Sequence, residues 1–302
     1  MTTFDEETLR KFRLSGRILR ETREEMRGFV REKMPIIDVC EKAETLIRAK
    51  GGKPAFPCNV SINEIAAHYT SPPNDEKTIP EGAVVKVDIG VHVDGYVTDT
   101  AFTACFNPEH KRMTETAEFA LKTAIENIHG EMPVGRIGGL IENAIKNRGF
   151  KPISNLTGHS VGRYHIHAGT SLPNVSQPFS IAKVHTGDIF AIEPFVTLPD
   201  AAGRVEDAPE MTIFRLVKPK SLETAHAKQM SKFIETNFKT LPFAERWLKN
   251  VVPKEKHAGA FKELLKSKTL MGYPVFVEAS GKPVAQAEHT VLVKDDGCEV
   301  LT

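Results

Sequence analysis

Three carboxylates of this chain stand inside runs of apolar or small residues, and any fold must find partners for them. The runs are VVKVDIG around Asp88, FAIEP around Glu193 and AQAEHTV around Glu288. Carboxylates are rarely buried unless they are paired or bound to a metal. With Asp99 and His159 they form a set that we interpret as a metal site. Four carboxylates and one imidazole can hold two divalent cations, and cations paired at ~3.5–4 Å hydrolyse phosphate or peptide bonds.

Composition narrows the class of protein. The 302 residues allow one large domain or two modest ones, and 40% hydrophobic with 26% charged residues is ordinary for a soluble globular protein. The formal charge of +1 gives no reason to expect a nucleic-acid or membrane partner. The N-terminus is acidic and is not a secretory signal. The four cysteines show no C-x-x-C spacing, which favours buried thiols in a reducing cytoplasm over a redox or zinc role.

Hydrophobic periodicity predicts a mixed helix and strand chain. Helices are predicted over about 5–31, 36–50 and 113–129. Strands are predicted at about 83–90, 96–104, 188–198, 211–217, 274–278 and 285–294. Further helical patterns, at 221–239, 242–249 and 258–267, indicate a helical insertion over approximately 219–270. It separates Glu193 from Glu288.

A stretch of the chain is repeated 98 residues later without a gap. Met34-Pro35 recurs as Met132-Pro133, and seven of 21 positions are identical, at the residues Met34, Pro35, Glu44, Ile47, Gly51, Lys53 and Pro54. A helix-length repeat of this kind indicates two structurally related halves, and chance similarity is the alternative.

The segment between the two copies reads as a β-hairpin. Asp94-Gly95 is a strong two-residue turn signal. It places Asp99 opposite Gly90 and Asp88 opposite Ala101. Side chains on one face recur every second residue, so both aspartates share a face as diagonal neighbours. A three-residue loop would put them on opposite faces, and surface aspartates on an exposed edge are the alternative interpretation.

Three histidines are further candidates for metal binding or proton transfer at the site. His159 follows Thr157-Gly158, and His167 lies eight residues further on. Imidazole is a common metal ligand and carries protons near neutral pH. Under the offset of 98, His68 falls on Ile166, beside His167, so the two histidines could occupy related places in the two halves. A hydrogen-bonded structural histidine is the alternative for each.

These segments together resemble the type II methionine aminopeptidases. The similarity rests on five motifs in the family's order, from about residue 5 to the C-terminus: NVSINEIAAHYT from Asn59, VDIGVHVDGYVTDTA from Val87, GHSVGRYHIHAG from Gly158, FAIEPF from Phe190 and QAEHTV from Gln286. The resemblance implies an α+β pita-bread fold, in which two halves related by a pseudo-two-fold axis form a curved antiparallel sheet covered by helices. It implies one catalytic domain over 1–302. The helical insertion resembles that of the type II members. The absence of a long charged N-terminal extension resembles the archaeal members of the family.

The resemblance also assigns roles. Asp88 would bind one metal, Asp99 and Glu288 would bridge both, and His159 and Glu193 would bind the second. Glu193 would also act as the general base. His68 and His167 would contact the substrate and act on the scissile amide. The methionine pocket would draw on three apolar or aromatic residues, Phe56, Ile166 and Tyr273.

The implied activity is removal of the initiator methionine from nascent polypeptides, with a small second residue preferred. A hydroxide activated by two divalent metal ions would attack the amide. Cobalt, manganese, iron(II) and zinc all remain candidates, because carboxylates favour harder ions and imidazole suits the softer ones. A monomer is expected, since no coiled-coil seam or large apolar face stands out. Substrates that emerge at the ribosome make a ribosome contact plausible.

Two rival functions share the fold. An Xaa-Pro dipeptidase or aminopeptidase commonly carries an additional N-terminal domain, whereas only 87 residues precede Asp88 here. A catalytically inactive binding module, for RNA or a protein partner, would be expected to lose metal ligands, and all five are present.

Overall fold

The computed structural model describes residues 4–302. Within that range the helices are α1 (Glu6–Phe29), α2 (Ile36–Ala49), α3 (Lys111–Asn127), α4 (Val134–Lys146), α5 (Ala225–Asn237) and α6 (Lys254–Lys266), with short 3-10 turns at Pro108–His110 and Glu245–Leu248. The strands are β1 (Lys53–Pro54), β2 (Asn59–Ile62), β3 (Ile65–Ala67), β4 (Val84–Val93), β5 (Tyr96–Cys105), β6 (Lys151–Pro152), β7 (Thr157–Ser160), β8 (Ser171–Pro173), β9 (Ile189–Ile192), β10 (Phe195–Thr197), β11 (Val205–Leu216), β12 (Phe243–Ala244), β13 (Leu270–Glu278), β14 (Val284–Gln286), β15 (Glu288–Lys294) and β16 (Gly297–Val300).

Three antiparallel sheets organise these strands. The main sheet has the order β1-β4-β5-β15-β9-β7-β8, with β2 beside β4 and β16 beside β15. A smaller sheet has the order β14-β10-β6, and a third has the order β12-β11-β13-β3. The main sheet therefore joins strands from the first half of the chain directly to strands from its end, at the β5–β15 pair.

The long helices cover the sheets as two pairs. Residues of α1 and α2, such as Leu19 and Val39, share a buried apolar cluster with the β4 strand. Residues of α3 and α4, such as Leu121 and Ile141, form a second cluster against β9 and β15. Asp5 caps the N-terminus of α1: its side chain accepts a hydrogen bond from the Thr8 amide at 2.7 Å and so satisfies a free N–H group.

The predicted repeat is matched by structure. The helix α2 and the strand β1 recur as α4 and β6, and Lys53-Pro54 and Lys151-Pro152 are offset by the same 98 residues. Gly51 and Gly149, which follow the two helices, have φ angles of +87° and +85°. Only glycine adopts this conformation at no steric cost, which explains why the repeat retains it. The two halves of the pita-bread fold are thus built alike.

Two strands predicted as continuous are divided in the structure. The segment predicted at 188–198 is interrupted at Glu193-Pro194, where the chain leaves the main sheet at β9 and enters the small sheet at β10. The segment predicted at 285–294 changes sheet at Ala287, between β14 and β15. The helix predicted at 258–267 begins earlier, directly after Pro253, because proline is tolerated before the first helical turn.

The helical insertion contains α5 and α6 and packs around its own apolar cluster, which includes Met230, Phe243 and Leu264. Strand β12 adds it to the third sheet by pairing with β11. A buried ion pair links it to the first half: Glu44 of α2 contacts the Arg246 guanidinium, and its other oxygen accepts a hydrogen bond from Trp247 at 2.7 Å.

Glu44→Ala is expected to lower the free energy of unfolding by about 3–5 kcal/mol, because it leaves the Arg246 charge buried without its partner. Urea unfolding followed by circular dichroism measures the loss. The matched control is Glu142→Ala at the repeat-related position, where the carboxylate pairs with exposed Lys146. That change should cost about 1 kcal/mol or less. Equal losses in the two variants would contradict the role given to the buried pair.

Candidate metal centre

The five predicted metal ligands come from five neighbouring strands of the main sheet. Asp88 lies on β4, Asp99 on β5 and Glu288 at the start of β15. Glu193 directly follows β9, and His159 lies on β7. In the sheet these strands stand side by side in the order β4-β5-β15-β9-β7. Residues up to 200 positions apart in sequence are thereby brought to one place.

The hairpin has the predicted register. Val93 pairs with Tyr96 across the two-residue loop, and Asp88 lies opposite Ala101 and Asp99 opposite Gly90. Asp94 and Gly95 have φ angles of 52° and 92°, as a turn with both central residues in the left-handed region requires. The two aspartates therefore share one face of the sheet as diagonal neighbours.

Glu193 and Glu288 meet because the chain changes sheet beside each of them. The strands β9 and β15 pair in the main sheet, and β10 and β14 pair in the small sheet. Between these pairs, the Ala287 amide contacts the Pro194 carbonyl at 3.4 Å. Both glutamates stand at the crossing point, where backbone from two sheets surrounds them.

Four of the five groups lie close to one another. Ligand atoms of Asp99, His159 and Glu288 all lie within 4.8 Å of one another. The His159 Nε2 atom is 3.4 Å from Glu193 Oε1 and 3.7 Å from Asp99 Oδ2. Asp99 and Glu288 are buried, at 3% and 1% exposure. Asp88 lines the same cavity.

In the protein alone, burial and mutual repulsion disfavour the charged forms of the four carboxylates. Burial raises the pKa of Asp88 to about 7 and raises the pKa values of Asp99, Glu193 and Glu288 well above their usual range. The neighbouring carboxylates add to the increase for the last three. Burial lowers the pKa of His159 to about 3, so its imidazole is neutral and has a lone pair to donate.

Divalent cations fit this donor set. Among the described residues, no hydrogen-bond partner is available to four buried polar atoms at the site, namely Asp88 Oδ1, Asp99 Oδ1, Glu288 Oε1 and His159 Nδ1. Buried polar atoms are normally partnered, and buried carboxylates are normally paired or bound to a metal. Positive charge at the centre of the cluster would satisfy the oxygens and remove the repulsion between them.

The cluster lies in a cavity of about 430 Å³, and all ten predicted site residues line it. His68 contacts the Pro274 carbonyl through Nδ1 at 3.2 Å, which leaves Nε2 as an acceptor. Burial lowers its pKa to about 4. The ring of His167 lies 4.5 Å from that of His159, between centroids. His68 and His167, which the repeat places one position apart, both line this cavity.

The three residues predicted for the methionine pocket also line the cavity, although they belong to separate segments. Phe56 is 7% exposed, and its ring fills the space beside Gly90, where a Cβ atom would lie 2.2 Å from it. Gly90 is therefore required for the Phe56 ring to occupy this place. The Tyr273 ring packs against His68 at 5.6 Å.

Sequence reasoning missed two residues that support the ligands. Gln286 is buried, and its Nε2 atom lies 3.4 Å from Glu288 Oε2 and 3.5 Å from Glu193 Oε2. Thr290 Oγ1 accepts a hydrogen bond from the Asp99 amide and donates one to the Asp99 carbonyl, both at 2.7 Å. Each lies two positions from Glu288, and this spacing in a strand was the only sequence signal for them.

Comparisons with known proteins agree with this geometry. The model of metallopeptidase family M24 matches residues 10–295. A methionine aminopeptidase of Methanothermobacter thermautotrophicus is 42% identical over 291 residues, which are 95% of this chain and 96% of that protein. The crystal structure of a Thermotoga maritima methionine aminopeptidase superposes with a TM-score of 0.72 at 21% identity, covering 99% and 98% of the two chains.

A prolidase of Pyrococcus furiosus has the same fold at lower similarity. Its TM-score is 0.61 at 18% identity, and the alignment covers 99% of this chain but 64% of the prolidase.

Across the described residues, no helix combines the length and the apolar character that a membrane span requires. From the sequence matches over nearly its whole length, the chain belongs to the methionine aminopeptidases of metallopeptidase family M24.

Proposed function

We propose that this protein removes the initiator methionine from nascent polypeptides in the cytoplasm and prefers a small second residue. The observation that carries the proposal is the convergence of four carboxylates and a neutral imidazole in one cavity, on five neighbouring strands. The family assignment supports it independently, because the relative that is 42% identical is named a methionine aminopeptidase.

Two divalent ions are proposed at the cluster. Asp88 would hold one of them, His159 and Glu193 the other, and Asp99 and Glu288 both. When bound, such ions lower the pKa of a water from ~15.7 toward ~7 and polarise a carbonyl. The mixed oxygen and nitrogen donor set suits manganese, iron(II), cobalt or zinc.

The protein side chains have separate tasks in this scheme. Glu193 stands at the rim of the cluster with 13% of its side chain exposed to the cavity, so it can take a proton from water and pass it to the leaving nitrogen. His68 offers an unprotonated Nε2 atom as a hydrogen-bond acceptor. His167 adjoins His159 and can contact the scissile amide. Phe56, Ile166 and Tyr273 would enclose the unbranched methionine side chain, which suits an apolar pocket.

The chain is proposed to act as one catalytic domain, 1–302, with the helical insertion as a subdomain. The insertion reaches the cavity, because Pro242 lines it. We propose a monomer that meets its substrates as they emerge from the ribosome.

Peptide hydrolysis tests the proposal. Protein freed of metal by chelation and then supplied with manganese or cobalt should release methionine from Met-Ala-Ser. It should not act at a comparable rate on Ala-Pro, which an Xaa-Pro enzyme would prefer. Bulky second residues should slow the release. Faster hydrolysis of Ala-Pro would assign the chain to the rival activity, and fewer than one bound divalent ion per chain would favour a binding module.

A further inference from the structure

Charge is distributed unevenly along this chain. The helical insertion, residues 219–270, contains eleven Lys and Arg residues but only five Asp and Glu residues, a net charge of +6. The remainder of the chain carries a net charge of −5, which hides this excess in the total of +1. The expectation that the protein has no nucleic-acid partner rests on that total, whereas a partner responds to the local field.

The positive groups of the insertion face solvent. Ten of the eleven are lysines, and all ten are exposed. Arg246, the other one, is buried against Glu44. In the part of the chain that the structure describes, Lys232 pairs with Glu235 at 3.1 Å, and no carboxylate lies within 4 Å of the ammonium groups of the other nine lysines. Their charge is therefore available to a partner.

The helices of the insertion arrange some of these lysines in stripes. Lys228 and Lys232 lie one turn apart on α5, and Lys262 and Lys266 lie one turn apart on α6. Residues four apart share a helix face and are separated by roughly 6 Å along the axis. Each helix thus presents a pair of ammonium groups at a regular spacing, as a polyanion with repeated charges would require.

The chemistry of the surface favours a nucleic-acid backbone over other polyanions. Lysine is a strongly hydrated point charge that contacts phosphates without base preference. An anionic membrane would additionally need large apolar side chains to enter it. None of the insertion's large hydrophobic side chains in the described structure is strongly exposed; Val217 and Met271, just outside it, are 46% and 38% exposed. A stable protein interface would need a central aromatic or apolar anchor.

The basic surface adjoins the cavity. Lys239, at the end of α5, places its ammonium 3.9 Å from the centre of the Tyr164 ring, and Thr240 Oγ1 donates to the Tyr164 carbonyl. Two residues on, Pro242 lines the cavity itself. We propose that the helical insertion is an RNA-binding surface that contacts the phosphate backbone without sequence preference and holds the cavity beside the RNA.

Binding of a fluorescein-labelled oligouridylate of about 20 nucleotides, followed by fluorescence anisotropy at several salt concentrations, tests this proposal. The variant replaces four exposed lysines of the insertion by glutamine: Lys228→Gln, Lys232→Gln, Lys262→Gln and Lys266→Gln. We expect its affinity at low salt to fall about tenfold or more, and the salt slope to decrease by about 0.7 for each phosphate that the variant no longer neutralises. Methionine release from Met-Ala-Ser should not change.

The control changes the net charge by the same amount outside the insertion: Lys33→Gln, Lys122→Gln, Lys146→Gln and Lys183→Gln. It should bind the RNA as the unchanged protein does. Equal weakening by the two variants would show attraction to the overall charge and overturn the proposal. Stronger binding to polyglutamate or to phosphatidylserine vesicles than to RNA would also overturn it, in favour of an acidic protein or a membrane.

Discussion

Glu193→Ala is expected to reduce methionine release from Met-Ala-Ser by about 10²–10⁴-fold, the usual contribution of a general base. The side chain stands 3.4 Å from His159 Nε2 inside the cavity, so its loss removes both a proton acceptor and a proposed metal ligand. Initial rates at saturating manganese measure the effect. Asp99→Ala should reduce methionine release at least as strongly, since Asp99 lies close to both His159 and Glu288.

Glu193→Ala should leave the metal-free fold intact. Burial and the Asp88 carboxylate raise the pKa of Glu193, so its charge opposes folding when no cation is present. The metal-free variant should therefore melt at a temperature equal to or above that of the metal-free parent. Glu142→Ala, which removes a carboxylate outside the cavity, is the control and should keep full activity. Full activity of Glu193→Ala would refute the assigned chemistry.

Metal-free protein with Asp99→Asn is expected to be more stable than the metal-free parent, and the difference should grow as pH rises from about 4 to 8. Burial, together with the Asp88 and Glu193 carboxylates, raises the pKa of Asp99 well above its usual value of 3.8. Below pH ~4 Asp99 is protonated in both the folded and the unfolded state, so it costs no stability. As pH rises from there toward the raised pKa, the unfolded state loses the proton first, and the free energy of unfolding falls by about 1.4 kcal/mol per pH unit. Asparagine carries no charge at any pH in this range.

Urea unfolding of both proteins in a chelator, at pH 5 and pH 8, measures this difference. The buried histidines, whose pKa values are lowered, make an opposite contribution to the pH dependence, and the comparison of the parent with the variant cancels it. Added manganese should reverse the order at pH 8, because it binds the parent site more tightly and stabilises it by mass action. A difference that does not depend on pH would show that Asp99 is not a crowded carboxylate.

Local signals predicted the hairpin and the repeat correctly. The Asp94-Gly95 turn determines the register of β4 and β5, and so the side-by-side placement of Asp88 and Asp99 follows from chain chemistry alone. The offset of 98 predicted matching helices and strands, and α2–β1 and α4–β6 show them. Both predictions depend on signals that lie within short segments of the sequence.

The short strands were not predicted, and for a physical reason. The strand β7, which carries His159, has four residues, and β3 before His68 has three. Runs of this length have too few residues for a periodicity to be recognised. They exist because neighbouring strands supply their hydrogen-bond partners, which a sequence window does not contain.

The sequence by itself determined which side chains could form the site, because carboxylates placed among apolar residues must be paired or bound when they are buried. It also determined the local hairpin, since a two-residue turn allows one register. Only the tertiary structure decided that β15 lies between β5 and β9, and that the chain changes sheet at Glu193 and before Glu288. Strand order depends on the packing of two helix pairs against residues far apart in the chain, and this long-range burial leaves no signal in any single segment.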